Sequence, residues 1–316
     1  MKSFEQDQSS EDLAAVTISD EVRKLGLEKY VLELEVDGLT VLPAEVNGFA
    51  LDRIDHAVEF ILTRATELTN GCRFTLDDGP IDELEFDDDY LTPEVKAIMG
   101  LPEEYKQSQF LLQGLSQADR VWRDMAINPA AVALINHLTA GQGRFSSFNT
   151  FVKWLGQGYG PGLGLHADQG RYVNPLGSVS LVANATWCLT DYSESGGALA
   201  YVPGSHKFSG MPNADAPAMA RPVVAAKGSV IVWHGALWHG AYPRLDPGMR
   251  LGYSAYYRHV ATLPQENVKD NTTEAMINDT DDPTAYRTLS GVDDTFPYGN
   301  GQSEKIPTLK KVAASA

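Results

Sequence analysis

The chain has 316 residues, 43% of them hydrophobic and 21% charged, the make-up of a globular protein large enough to bury a sizeable core. Its formal net charge of −17 argues against nucleic acid and anionic membrane surfaces as partners, because both are held by clustered Lys and Arg. No apolar run reaches bilayer-spanning length, so no membrane insertion is expected. The opening stretch, MKSFEQDQSSEDLAAVTISDEV, is acidic and lacks the apolar centre of a secretory signal. Residues 1–20 read as a mobile acidic arm, and the expected compartment is the cytoplasm. Cys72 and Cys188 are too few for a disulfide framework and form no CxxC metal motif.

Residues 51–68, LDRIDHAVEFILTRATEL, place apolar side chains at 51, 54, 57, 58, 61, 62, 65 and 68, a helical stripe. His56 falls opposite that stripe and is expected in solvent. Residues 77–94 hold nine acids and no Lys or Arg, but without the spacing of a calcium loop, so they read as a solvated loop. Residues 116–140 read as helical. Ser116 and Asp119 fit a capping box, Pro129 suits the first turn of a new helix, and His137 lies on the apolar face of AAVALINHL as a packing residue.

After residue 144 the texture changes. FNTFVKWL, GSVSLVANATWCLTD, GALAYVP, RPVVAA, GSVIVWH and RLGYSAYYRHV read as strands. With no long helices between them, they predict an antiparallel barrel or sandwich, not βαβ units. The last 55 residues have weak periodicity and read as a wrapping or partly disordered tail.

Three features of this half carry chemistry. In His166-Ala167-Asp168, residues i and i+2 of an extended segment share a face, so one strand end can aim an imidazole and a carboxylate at one point. GSVIVWHGALWHG offers a second imidazole from His234 or His239, and Arg250 follows at the head of a strand. Two histidines and a carboxylate are the facial triad of non-haem Fe(II) oxygenases, which leaves three metal positions open. A 2-oxo acid that chelates the iron has a distal carboxylate left over, which a guanidinium pairs with through two parallel bonds.

The stretches HAD (166–168), TWCLTDYSESGGALAYVPGSHK (186–207), GSVIVWHGALWHG (228–240) and Arg250 resemble the motifs of the phytanoyl-CoA dioxygenase family of Fe(II)/2-oxoglutarate oxygenases. The matches cover about 100 residues, and the PGSHK hairpin is the most distinctive. The resemblance implies an α+β fold with a mainly β core, a double-stranded β-helix (jelly-roll, cupin-like) barrel flanked by N-terminal helices. It implies one oxygenase domain over 21–316, with a mostly helical flank at 21–140, the barrel at 144–262 and a tail at 263–316. His166, Asp168 and His239 would be the iron ligands, with His239 preferred to His234 because the family's ligand is followed by glycine. Arg250 would bind the distal carboxylate of 2-oxoglutarate and Trp187 would pack beside it; His206 would stabilise its turn.

The chain departs from the family pattern at Ser229, where many members have a carboxylate, and at Gly252, where many have Ser or Thr that also bonds 2-oxoglutarate. Lys153 or Thr150 is a possible replacement donor. The implied reaction uses Fe(II), 2-oxoglutarate and O2, releases succinate and CO2, and hydroxylates an aliphatic C–H of a small, largely apolar substrate. Desaturation and ring formation remain open. Halogenation is disfavoured, because related halogenases replace the carboxylate at the Asp168 position with a small residue. Trp154, Tyr159, Tyr172, Trp233 and Trp238 are candidate pocket aromatics, and WLGQGYGPGLGL is a candidate loop at the barrel mouth. The acidic surface offers no basic partners for the phosphates of an acyl-CoA. Two other readings stand beside this one: a cupin-type metal enzyme that does not use 2-oxoglutarate, against which Arg250 counts, and a non-catalytic binding protein, against which the intact triad counts.

Overall fold

Strands of the C-terminal half set the architecture, and the N-terminal half lends them two more. The structure, a computed structural model, describes residues 17–85, 92–158, 160–170 and 179–294. Its elements run α1 (Asp20–Lys24), α2 (Glu28–Asp37), β1 (Leu39–Leu42), α3 (Ala44–Asn47), α4 (Leu51–Leu68), β2 (Phe74–Thr75), β3 (Gly79–Pro80), α5 (Pro93–Met99), β4 (Gln109–Leu112), α6 (Leu115–Ala118), α7 (Arg120–Ala126), α8 (Pro129–Leu138), β5 (Gly143–Gly156), β6 (Val182–Cys188), β7 (Leu199–Tyr201), α9 (Ala216–Met219), β8 (Arg221–Pro222), β9 (Val230–His234), β10 (His239–Ala241), β11 (Arg244–His259), α10 (Val268–Asn271), α11 (Glu274–Asn278) and α12 (Pro283–Ser290). The acidic arm up to residue 16, residues 86–91 of the acidic run and the tail beyond residue 294 lie outside the described residues, as do Tyr159 and Tyr172.

The large sheet is antiparallel in the order β1-β9-β6-β11-β5-β4. The smaller one runs β10-β7-β8, and the segment at His166 bridges to His239 on the free edge of β10. These two antiparallel layers form the expected jelly roll, with a helical layer on the outside of the large sheet. Strand alternation divides the large sheet's side chains. Ala183, Ala185 and Trp187 of β6, Val230 and Val232 of β9, and Leu251, Tyr253, Ala255 and Tyr257 of β11 join the main core with the helices. Asn184, Thr186, Arg250, Ser254 and Tyr256 turn the other way and line a cavity between the layers.

The helical flank follows the expected stripe. In α4, Ile54, Ala57, Val58, Ile61 and Ala65 are buried, while Leu51 and Leu68 at its ends stay exposed. His56 is exposed, its ring nitrogen 3.0 Å from Asp119. Pro129 opens α8 behind the Asn128 cap, as expected. The capping box at Ser116 does not form. Gly114, in the left-handed conformation, starts the short α6 at Leu115, so Ser116 lies inside that helix. Asp119 alone caps α7, accepting from the Val121 amide at 2.8 Å. His137 is more than packing: its Nε2 lies 2.8 Å from Glu35 Oε1 and ties α8 to α2.

The flank is also less purely helical than its sequence reads. LTVL of β1 and QFLL of β4 are four-residue strands that take the two edges of the large sheet. The tail is partly ordered by short helices: α12 packs on β5 and buries Tyr286 and Leu289. No helix among the described residues is long and apolar enough to cross a membrane.

Asp124, whose side chain is fully buried, joins the flank to the tail. Its carboxylate accepts from Arg53, from Arg120 Nε at 2.8 Å and from the Asp281 amide at 2.7 Å. Both guanidiniums are partly exposed, so water can take up part of the loss when the carboxylate goes. Asp124→Ala should lower stability by about 1–3 kcal/mol, seen as an earlier urea midpoint at an unchanged slope. An unchanged midpoint would show that the network contributes nothing.

Candidate active site

His166 and His239 exchange both backbone hydrogen bonds, at 2.9 and 2.8 Å, so they stand directly opposite each other across an antiparallel pair. Their rings meet with centroids 4.4 Å apart. Asp168, two residues on, brings its carboxylate to the same point. The backbone approach is close enough to require glycine after His239. A Cβ at Gly240 would sit 2.0 Å from the carbonyl oxygen of Leu163.

The protonation pattern suits a cation. His166 Nδ1 lies 2.9 Å from the Gly164 carbonyl and His239 Nδ1 lies 3.0 Å from the Leu237 carbonyl. A carbonyl accepts only, so each Nδ1 carries its hydrogen and Nε2 is the atom each ring turns to the cluster. These two Nε2 atoms are 3.7 and 3.6 Å from one oxygen, Asp168 Oδ1, beyond good hydrogen-bond length. The three ligand atoms lie within 4.8 Å of one another. Burial pushes the His239 pKa down, which keeps its ring neutral. Asp168 Oδ2 accepts from Asn184 Nδ2 at 2.7 Å, and Asn184 Oδ1 accepts from Ser254 at 2.7 Å. Sequence reading missed Asn184 and Ser254; the signal available was their polar character at alternate positions of apolar strands.

Across the same cavity, of about 650 Å³, stand Arg250 and Lys153, paired in register on β11 and β5. Arg250 is 4% exposed; Nη1 donates to Tyr192 Oη at 3.1 Å and Nε has no partner. Lys153 donates to the Tyr242 carbonyl, and burial, with Arg250 and Arg244 near, pulls its pKa down to about 7. Among the described residues no carboxylate pairs with either cation. Two buried cations without a counter-charge favour an anionic ligand.

Several expected residues stand elsewhere. Trp187 does not reach the cavity. It alternates with Thr186 and Cys188 on β6, so its ring enters the helical core and meets Phe49 edge-on at 5.0 Å. His234 also faces away from the triad. Its ring packs 5.4 Å from His206, and its Nδ1 accepts from the Ala236 amide, which leaves His239 as the second imidazole. His206 does sit in the turn of PGSHK, as expected. Of Lys153 and Thr150, only Lys153 lines the cavity. Of the candidate aromatics, Trp233 lines it, Trp154 packs on Phe74 and Phe110, and Trp238 packs on Phe208. Tyr192, Tyr256 and Phe151 supply the rest, and Gln157 and residues 160–164 bring the glycine-rich loop to the mouth.

A model of the phytanoyl-CoA dioxygenase family matches residues 64–252. The dioxygenase af480 of Aspergillus fumigatus is 34% identical over 128 residues, which is 40% of this chain and 40% of that protein. The chain thus matches well under half the length of this curated relative. Among solved structures, HygX of Streptomyces hygroscopicus with nickel and 2-oxoglutarate bound superposes with a TM-score of 0.53 at 15% identity, covering 75% of this chain and 88% of HygX. SnoK, the α-ketoglutarate-dependent carbocyclase of nogalamycin biosynthesis, gives 0.51 at 16% identity, covering 74% of this chain and 84% of SnoK. At these identities the two structures speak for the fold.

Asn184 orients Asp168 without belonging to the ligand cluster. Asn184→Ala should therefore weaken divalent-metal binding by about 10–100-fold in an anaerobic Fe(II) titration, with the fold intact by circular dichroism. Affinity equal to the parent's would show that the carboxylate needs no such support.

Proposed function

The chain belongs to the phytanoyl-CoA dioxygenase family, and from that membership we propose that it is an Fe(II)/2-oxoglutarate-dependent dioxygenase that hydroxylates an aliphatic C–H bond of a small molecule. The observation that carries this reading is one cavity with a His166–Asp168–His239 cluster on one wall and two unpaired cations, Arg250 and Lys153, on another. The donor set fits Fe(II): two neutral imidazoles and one carboxylate can occupy one face of an octahedron. The cations fit a dianionic co-substrate. When bound, the iron and 2-oxoglutarate activate O2, with release of succinate and CO2.

The chain's own residues bind and orient. His166, Asp168 and His239 hold the metal, with Asn184 and Ser254 fixing the carboxylate. Arg250 takes the distal carboxylate of 2-oxoglutarate through paired N–H bonds, and Lys153 adds a second charge beside it. Asp168 occupies the ligand position that related halogenases vacate, which favours hydroxylation. Buried Trp233, its ring 5.2 Å from His239, helps keep water from that side of the cluster.

The remaining lining defines the substrate class. Met99, Leu111, Phe151 and Leu163 supply apolar surface, and Gln109, Gln113, Asn149, Gln157 and Gln265 supply amides. Among the described residues, Asp168 is the one carboxylate on the wall and Arg250 and Lys153 are the Lys and Arg side chains on it. With those three committed, the space left suits a neutral molecule with an apolar frame and several hydrogen-bonding oxygens. It does not suit the phosphates of a coenzyme A thioester.

Anaerobic Fe(II) and 2-oxoglutarate should give the visible band of the chelate. His239→Ala and Asp168→Ala should abolish it, and Arg250→Ala should weaken it by raising the concentration of 2-oxoglutarate needed. Iron binding without the band would replace this reading with a metal enzyme that does not use 2-oxoglutarate; no iron binding would leave a non-catalytic binder. The pH dependence has a sign. Free Lys153 titrates near 7, and a dianion favours its charged form, so binding takes up a proton above that pH. Affinity for 2-oxoglutarate should fall from pH 7 to pH 9, by at most about tenfold per unit for one proton. Lys153→Met should flatten the profile; a profile unchanged in that variant would assign the dependence to another group.

A further inference from the structure

Gly252 follows Arg250 by two residues on β11 and so shares its face, the face that lines the cavity. A Cβ built there would lie 2.1 Å from Tyr192 Oη and 3.4 Å from Tyr192 Cζ. The glycine is thus an absence filled from another segment: the phenol oxygen of Tyr192 stands where a side chain at 252 would begin. Tyr192 is 1% exposed and fixed at its backbone, which exchanges hydrogen bonds with Ala225 at 2.8 and 3.1 Å. Its ring lies under the Arg250 guanidinium, 5.0 Å from centroid to Cζ, and its hydroxyl accepts from Arg250 Nη1 at 3.1 Å. An oxygen that accepts from a guanidinium still has its own hydrogen to give. Burial pushes the Tyr192 pKa up, so that hydrogen stays on, and among the described residues it has no protein acceptor.

We infer that the Tyr192 hydroxyl, in the space left by Gly252, is the second donor to the distal carboxylate of the 2-oxo acid, beside Arg250. The inference rests on the proposed 2-oxoglutarate reading. It makes Tyr192 a positioning residue that selects dicarboxylic over monocarboxylic 2-oxo acids, and it makes Gly252 obligatory as long as Tyr192 is present. Tyrosine and a β-strand hydroxyl become interchangeable solutions, but not simultaneous ones.

The test uses four full-length proteins: the parent, Tyr192→Phe, Gly252→Ser, and the double variant. Each is loaded with Fe(II) anaerobically and titrated with 2-oxoglutarate and, separately, with pyruvate, which lacks the distal carboxylate; the chelate band reports binding. Tyr192→Phe should weaken 2-oxoglutarate by about tenfold, the loss of one charge-assisted bond, and leave pyruvate unchanged. Gly252→Ser alone should weaken 2-oxoglutarate further and lower the melting temperature, because the added Cβ meets Oη. The double variant has that oxygen removed and a new hydroxyl on β11, and should recover both the melting temperature and most of the 2-oxoglutarate affinity. Tyr192→Phe binding 2-oxoglutarate as the parent does, or losing pyruvate equally, would overturn the inference, as would a double variant no better than Gly252→Ser. A parent that binds iron but shows no 2-oxoglutarate band would instead remove the co-substrate reading on which the inference stands.

Discussion

Two backbone hydrogen bonds between His166 and His239 hold this site together. They fasten a glycine-rich loop to the free edge of β10, and everything on the metal side follows from that attachment. Opposed residues in such a pair point their side chains to the same face, so the two imidazoles converge without help from a third element. Asp168 follows by the two-residue repeat of extended chain. The carbonyls that hold each Nδ1 belong to residues 164 and 237, each two before its histidine, so the local chain sets the tautomer as well as the place. The requirement travels one residue further: Gly240 must lack a side chain for the loop to lie down at all.

The parity of the strands decides the other wall. Asn184 and Thr186 on β6, Asn149, Phe151 and Lys153 on β5, and Arg250, Ser254 and Tyr256 on β11 face the cavity. The residues between them enter the helical core, which is why Trp187 stabilises the fold and does not touch the ligand space. A one-residue slip in the register of β11 would exchange Arg250 for Leu251 in the cavity and bury a charge among helices. The outer face holds that register: Tyr253 and Tyr257 of β11 donate to the Trp122 and Ala126 carbonyls of α7, and Tyr253 packs on Trp122.

Much of this was legible in the sequence, for physical reasons that differ by feature. The α4 stripe and the Pro129 start were readable because they depend on local periodicity and capping. HAD and the second HG were readable as a cluster because the two-residue repeat of extended chain pairs His166 with Asp168 and close approach restricts the residue after His239 to glycine. The edges of the large sheet were not: LTVL and QFLL are too short to show alternation, and pairing with distant β9 and β5 makes them strands. The helices of the tail are four to eight residues long and have too few turns to show a stripe. Trp187 was misplaced because a motif match gives a position but not the side of the strand. Tyr192 was invisible because its role depends on a hole at Gly252, sixty residues away in sequence.

The site also reverses the field of the molecule around it. The chain carries 42 acids against 25 Lys and Arg, yet its cavity presents Arg250 and Lys153 side by side with, among the described residues, no carboxylate between them. Burying Lys153 costs stability in the empty protein, and burial first, then the Arg250 and Arg244 charges beside it, pulls its pKa down to about 7. A dianion entering the cavity relieves both charges at once, so part of its binding energy comes from repulsion already present in the fold. The same arrangement resists neutral competitors at the charged end, since they would leave two desolvated cations unmatched. At the amide-lined end the described residues offer no charged side chain, which is the basis for proposing a neutral substrate. On the proposed reading, the triad, the cationic wall and the amide rim would sort co-substrate from substrate by charge before shape is consulted.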